Sequence, residues 1–574
     1  MKTSIIKKIT LTLTLIPALA LTARADDYHW IGATSGTWDA NFADNWYNDT
    51  SGTTSGTLPG VNNAWYPNDT SNTQGTDYIT IGSGNDLFFN INKYNTKGLT
   101  VESGATITFA NGDRYGFNDY LKNFGTLIFN RVGTKTLSDR TGSISPFALT
   151  NTGTILATGA GVNLVLSGSA VNTGGLIRAE NGAAIDVRAL PIITGGTVSI
   201  GVSSTFYNSD VQITNQATMQ MNNVEFANAG HLYWTQANGD HNKSISFNDG
   251  VFTNSGTVTY LASGTHTNST PKYYIDLALT GQITAVNTGV MTFRNIDGAN
   301  PNRTKYDYDE YVRLTVNLSG TGSFANSGYL ELYNDTNGDA STRTQYTALT
   351  VNDGAKFTNT GTINVSLGAN TLDDTQHYAA LTVSTDWTNH GTVLIDGADQ
   401  TAAYARLDLG TKTYTAAAGS LTELARGAQI KAGAVSLSGT IKGAGAILAA
   451  TTVDAGGVLA PTGTLALTGL TVNADGTLEF DGDTGSFLHI NGDVNFTGGT
   501  LSVSNIDLTT DNYLLADYTG SLLGDTLTLS GLDDAVLDFT TANKIYLIAI
   551  PEPSLLALLL TGAALLATLR RRRK

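Results

Sequence analysis

The sequence predicts an all-β chain wound as a right-handed parallel β-helix, a solenoid, with a signal peptide before it and a single transmembrane helix after it. Three observations carry this. Only 14% of the 574 residues are charged and 10 are Pro against 63 Gly, while Thr, Asn and Ser fill the polar positions. That composition suits tightly turning strands rather than helices. A phrase containing Asn-x-Gly returns through the middle of the chain at a spacing of about 20–40 residues, the range of a solenoid repeat. The residues after each of these Gly alternate apolar and polar, which is the period of a half-buried strand. A single core rarely grows past about 250–300 residues, so a chain of this length is several domains or one elongated repeat.

Composition also narrows the chemistry. The absence of Cys removes disulfides, thiolate zinc sites, iron–sulfur clusters and Cys nucleophiles together. Seven His in 574 residues make a multi-His metal site a poor fit. The formal net charge of −16 leaves no basic footprint for nucleic acid.

Residues 1–25 read as a secretory signal peptide. Lys2, Lys7 and Lys8 form a basic start, 9–21 is an apolar stretch too short to span a bilayer comfortably, and Ala23 and Ala25 are the small residues ahead of cleavage before Asp26. Residues 26–100 form a Trp-rich region with Trp30, Trp38 and Trp46. Its expected role is to cap the open end of the helix, which otherwise leaves strand edges and an apolar cross-section uncovered.

The repeat region is 101–505. Its anchors are Asn123, Asn151, Asn172, Asn228, Asn254, Asn287, Asn326, Asn359 and Asn389, each followed two residues later by Gly. The gap from Asn172 to Asn228 reads as two turns with a degenerate copy at Asn215 between them. Asn and Gly tolerate a positive φ, which a tight corner needs. The apolar residue two before the Asn (Phe226, Phe252, Phe324, Phe357, Trp387) is expected to stack on its counterpart one coil away, with the Asn side chains forming a hydrogen-bonded ladder. Coils of about 20–30 residues stacked at about 4.8 Å predict a rod of roughly 15–20 coils. A glycine-richer register covers 437–503. Residues 506–549 read as closing strands that run into Pro551 without a flexible linker.

The last segment, 550–574, carries Pro551-Glu552-Pro553, then sixteen uncharged residues, 554–569, then Arg570, Arg571, Arg572, Arg573 and Lys574. Sixteen helical residues cover roughly 24 Å, slightly less than the ~30 Å hydrocarbon core. Five terminal cations place that end in the cytoplasm and the rest of the chain outside. Order, spacing and position resemble the PEP-CTERM sorting signal of Gram-negative bacteria, and the 437–503 stretch resembles autotransporter passenger repeats. The first resemblance implies an exosortase-type enzyme as partner, processing near Pro551, Glu552 and Pro553 in a host that makes extracellular polysaccharide. Without the two ends, 23 basic residues face 47 acidic ones, a net charge near −24, which disfavours adsorption to nucleic acid or anionic lipid.

Candidate chemistry is sparse. Asp307, Asp309 and Glu310, and Asp335, Asn337 and Asp339, form acidic clusters that read as solvated loops between coils; the second matches a calcium loop poorly, because Gly338 is misplaced. His231, His241, His266, His390 and His489 fall in or beside repeats without converging. No catalytic residue, metal ligand or cofactor is assigned. The expected function is a non-enzymatic protein of the cell surface or extracellular matrix, acting in envelope, biofilm or adhesion. The alternative is a β-helical carbohydrate-active enzyme, a polysaccharide lyase or hydrolase, which needs Asp, Arg or Lys groups gathered on one face. An autotransporter-like adhesin needs a C-terminal barrel where this chain has a helix and arginines. An ice-binding protein needs Thr-x-Thr ranks in register coil after coil, and the pairs at Thr106/Thr108, Thr257/Thr259 and Thr526/Thr528 are scattered.

Overall fold

The computed structural model describes residues 27–30, 35–38, 46–48, 53–54, 78–89, 93–109, 114–138, 148–188, 192–207, 217–236, 243–263, 272–296, 309–336, 344–369, 371, 373, 375–508, 512–532, 534–550, 561–565, 567–568 and 571. The signal-peptide residues Ala23, Ala25 and Asp26, the sorting residues Pro551, Glu552 and Pro553, and Arg570, Arg572 and Arg573 lie outside the described residues, as does Asn215.

The described chain is almost wholly strand, and nearly all of its pairing is parallel. One coil shows the plan. Ala148–Asn151, Thr154–Thr158 and Val162–Ser167 follow one another around three faces, and each pairs in parallel with the strand three further on: Ala170–Val171, Leu176–Glu180 and Ala184–Arg188 respectively. Parallel strands cannot be joined by a tight hairpin, and here each connection is the rest of the coil. From residues 120–123 to Phe487–Ile490 the first face stacks fifteen strands in an unbroken series of parallel pairings. At the usual strand spacing that is a column of roughly 70 Å. This is the arrangement of a β-helix or solenoid.

The core is a single column of inward side chains, because each strand alternates buried and partly exposed residues, as in Thr126–Phe129 and Ser323–Asn326. The aromatic stack anticipated from the phrase is present. Phe226 stacks on Phe252 at 5.7 Å, Phe324 on Phe357 at 5.3 Å, and Phe357 on Trp387 at 5.3 Å. Ala285, paired with both Phe252 and Phe324, interrupts it once.

At the N-terminal end Asp27–Trp30 pairs in parallel with Tyr78–Ile81 and antiparallel with Trp46–Asn48, which pairs antiparallel with Thr53–Thr54. At the other end parallel pairing continues through Tyr513–Tyr518 and Leu522–Ser530. Lys544–Ala549 then runs antiparallel to Tyr513–Tyr518 and to Ala535–Asp538. Beyond Ile550 the described residues 561–565, 567–568 and 571 are helical and exposed, and the Thr568 hydroxyl donates to the Ala564 and Leu565 carbonyls. Among the described residues no helix is long and apolar enough to cross a membrane.

Candidate functional site

The repeated Asn side chains turn inward at the corners of the coil and are buried. They form not one ladder but two. In the first, Asn123 donates through Nδ2 to Asn151 Oδ1 at 2.7 Å, and Asn151 donates to Asn172 at 2.6 Å. In the second, Asn228, Asn254, Asn287, Asn326, Asn359 and Asn389 are joined by bonds of 2.7, 2.7, 2.7, 2.8 and 2.9 Å. The first ladder occupies the corner between the first and second faces, and the second the corner between the second and third. The register shows the jump: Thr194 pairs with Asn222, whereas Asn228 pairs with Ile200. The gap from Asn172 to Asn228 is therefore two coils plus a step of one face, which corrects the reading of it as two plain turns.

Each ladder has one buried acceptor with nothing to accept, Asn123 Oδ1 in the first and Asn228 Oδ1 in the second. Those are the starting rungs, where no preceding Asn exists to donate. Downstream, the second ladder stops where Asn389 pairs with Ala416, and Asn389 instead bonds to Gly391 within its own turn.

At most of these corners the Gly of the phrase is needed for space; at Gly174, with φ 75° and open space where a Cβ would stand, it is needed for backbone conformation. A Cβ on Gly153 would overlap the carbonyl oxygen of Gly125, and the same holds for Gly256 on Gly230, Gly289 on Gly256, Gly328 on Gly289, Gly361 on Gly328 and Gly391 on Gly361. None of these six has a positive φ, so the conformational reason expected for the phrase holds at Gly174 and is corrected for them. The corner the first ladder vacates is the one turned with positive φ, at Gly195, Asn223, Asp249 and Gly281.

The outward surface of the first face carries the feature that the phrase does not announce. Tyr274, Tyr311, Tyr346, Tyr378 and Tyr404 occupy one column on successive coils. Neighbouring rings stack at 5.2, 4.9, 4.7 and 5.2 Å with interplanar angles of 12° or less. All five are partly exposed. Because the rings lie face to face along the coil axis, they offer water their edges and hydroxyls. The Arg313 guanidinium lies 5.1 Å from the Tyr311 ring and bonds to Asp276 Oδ2 at 2.7 Å. Arg406 sits 3.8 Å over Tyr404 and donates twice to Gln429 Oε1. Burial pushes the Tyr311 phenol up to about 12 and raises Tyr378 and Tyr404 as well, so these three keep their hydroxyl protons through the physiological range.

Just inside this column runs a buried polar seam. His377 Nε2 lies 3.0 Å from Gln345 Oε1, Asn334 Nδ2 donates to the Gln345 carbonyl, and the Thr371 hydroxyl donates to the Asn334 carbonyl at 2.9 Å. Thr336, inside the acidic cluster read as a solvated loop, is fully buried and bonded to Asn334. That part of the segment belongs to the coil. Asp309 and Glu310 open the strand Asp309–Leu318, while Asp307, Asn337 and Asp339 lie outside the described residues.

The histidines do not come together. His231 meets Thr259 at 3.0 Å and burial lowers its pKa, His489 pairs with Asp517 at 2.6 Å, and His390 is exposed at a corner. His241 and His266 lie outside the described residues. Among the described residues no group of three or more His, Asp or Glu is placed to hold a metal ion.

The tyrosine column had a sequence signal. Tyr is followed by Leu three residues later and by Leu or Val five later in YIDLAL, YVRLTV, YTALTV, YAALTV and YARLDL. No family model matches the chain, and neither a curated protein nor a solved structure does.

Proposed function

We propose that the chain is an exported, non-enzymatic surface or extracellular-matrix protein: a right-handed parallel β-helix that serves as a rigid rod in envelope, biofilm or adhesion. The right hand follows from the steric preference of parallel crossovers in twisted sheets. The observation that carries the reading is the buried pair of Asn ladders, which lets each coil be stabilised by its two neighbours alone. Such a rod gains length by adding coils and needs neither disulfide nor metal.

Export and sorting rest on the two ends. The 1–25 segment directs secretion, and the Pro551-Glu552-Pro553 motif with its uncharged stretch and Arg570, Arg571, Arg572 and Arg573 presents the chain to an exosortase-type enzyme, anchored in the membrane until processed. The tyrosine column supports extracellular polysaccharide as a partner, since its hydroxyls repeat at one per coil and can hydrogen-bond an extended glycan along the rod.

Intact mass of the surface-released protein tests the sorting reading. In a host with an exosortase the released chain is expected to lack residues after about Pro553, and replacing Pro551, Glu552 and Pro553 by Ala should preserve insertion and block processing. A released chain still ending in Lys574 overturns it.

A further inference from the structure

At the C-terminal end the closing strands present an outer face that is apolar toward Ile550 and charged at its other end, where Lys544 and Asp538 stand. Val536 and Ile548 are directly opposite each other across the antiparallel pair, as are Leu514 and Tyr546 one strand over. All four point away from the core, because the residues alternating with them, Leu537, Leu547 and Ile545, pack inward. Val536 is 48% exposed and Ile550, just past the end of the strand Lys544–Ala549, 46%, while Leu514, Tyr546 and Ile548 are partly exposed. On an ordinary soluble surface single exposed aliphatics are unremarkable, but a cluster of them marks a contact.

Two observations choose the contact. The Ile550 N–H donates to the Asp534 carbonyl at 2.7 Å, so the chain is tied to the closing strands up to its last residue before Pro551. From Ile550 to Ser554, where the uncharged stretch begins, is four residues, a reach of at most about 14 Å. A bilayer that holds 554–569 therefore lies within that reach of the patch.

We infer that the Leu514, Val536, Tyr546, Ile548 and Ile550 face rests on the surface of the bilayer that holds the tail, so that the rod is docked by its end rather than tethered loosely. The inference rests on the reading of 554–569 as a membrane anchor. Asp538, directly opposite Tyr546 across the antiparallel pair, and Asp534, just before the strand Ala535–Asp538, favour zwitterionic over anionic headgroups.

The chain has no Cys, so single labels are clean. Val536→Cys and Ile548→Cys, with Thr358→Cys on an exposed position of a distant coil as control, are labelled with an environment-sensitive dye in the full chain. Each is reconstituted into phosphatidylcholine vesicles with and without doxyl lipid. Blue-shifted emission and doxyl quenching at 536 and 548 but not at 358 are expected. A chain that does not float with the vesicles overturns the anchor reading and this inference with it. A chain that floats with 536 and 548 as water-exposed as 358 overturns the docking alone, and so does a blue shift without doxyl quenching, which is contact with a second copy.

Discussion

Asn254 donates its side-chain amide to Asn287 Oδ1 at 2.7 Å, one coil and 33 residues away, with both side chains buried. Such a bond is worth little net, but leaving its partner unsatisfied in the core costs about 1–3 kcal/mol. Asn254→Ala strands Asn287 Oδ1 and takes one acceptor from Asn228 Nδ2. Asn228→Ala strands Asn254 Oδ1 but also removes an acceptor that is already unpaired. The middle rung is therefore expected to lower the urea midpoint more than the first rung. Equal losses would show that the ladder does not act through paired amides.

The glycine column makes a separate expectation. Gly289→Ala must push two coils apart, because the added methyl meets the Gly256 carbonyl. Gly174 has φ 75° and open space where a Cβ would stand, so Gly174→Ala costs only the left-handed backbone penalty, about 1–2 kcal/mol. Protease resistance of the region around 256–328 should fall sharply in the first variant and little in the second.

Phe324 and Phe357 are stacked at 5.3 Å and are 0% and 1% exposed. Truncating either to Ala should cost about 3–5 kcal/mol. Thr358, next in sequence but exposed, should be nearly silent as Ala. Differential scanning calorimetry of the three variants separates stacking from composition.

What could be read from the sequence follows the length of the repeating unit that carries it. Asn-x-Gly recurs because nearly every coil within a ladder needs the same two things at one corner, an inward amide and a residue without Cβ. The phrase does not say which corner, since the requirement is the same at both; hence Asn172 and Asn228 looked like members of one series. The tyrosines, 37, 35, 32 and 26 residues apart, were less visible because the residues around them only alternate apolar and polar as in any strand, with no second fixed residue like the Gly of the phrase. Insertions between the third and first faces change the length of each coil without disturbing the register of its strands. Thr336 sits among polar neighbours that suggest solvent, yet it is buried and bonds to Asn334, which is itself held by the Thr371 hydroxyl one coil on.

That same column gives the molecule a defined alkaline limit. An exposed phenol ionises near 10, and Tyr311 is held up at about 12, first by its burial and then by the neighbouring tyrosines against the pull of Arg313. Tyr378 and Tyr404 are raised for the same first reason. A phenol whose pKa is higher in the folded than in the unfolded chain stabilises the fold fully below pH 10, and that contribution drains away as the pH climbs through the folded value. Ionising one ring would also set a charge against its stacked neighbours at about 5 Å. Stability is thus expected to be flat from neutral pH to about 10 and to fall between about 10 and 12, with the phenolate absorbance of the column appearing together with unfolding rather than before it. Tyr311→Phe removes an ionisable member whose folded pKa is raised while keeping the ring stack, so it should move the alkaline transition upward. A downward move, or full phenolate absorbance at pH 10 with the strand signal intact, would show that the five rings are free in solvent and not a packed column.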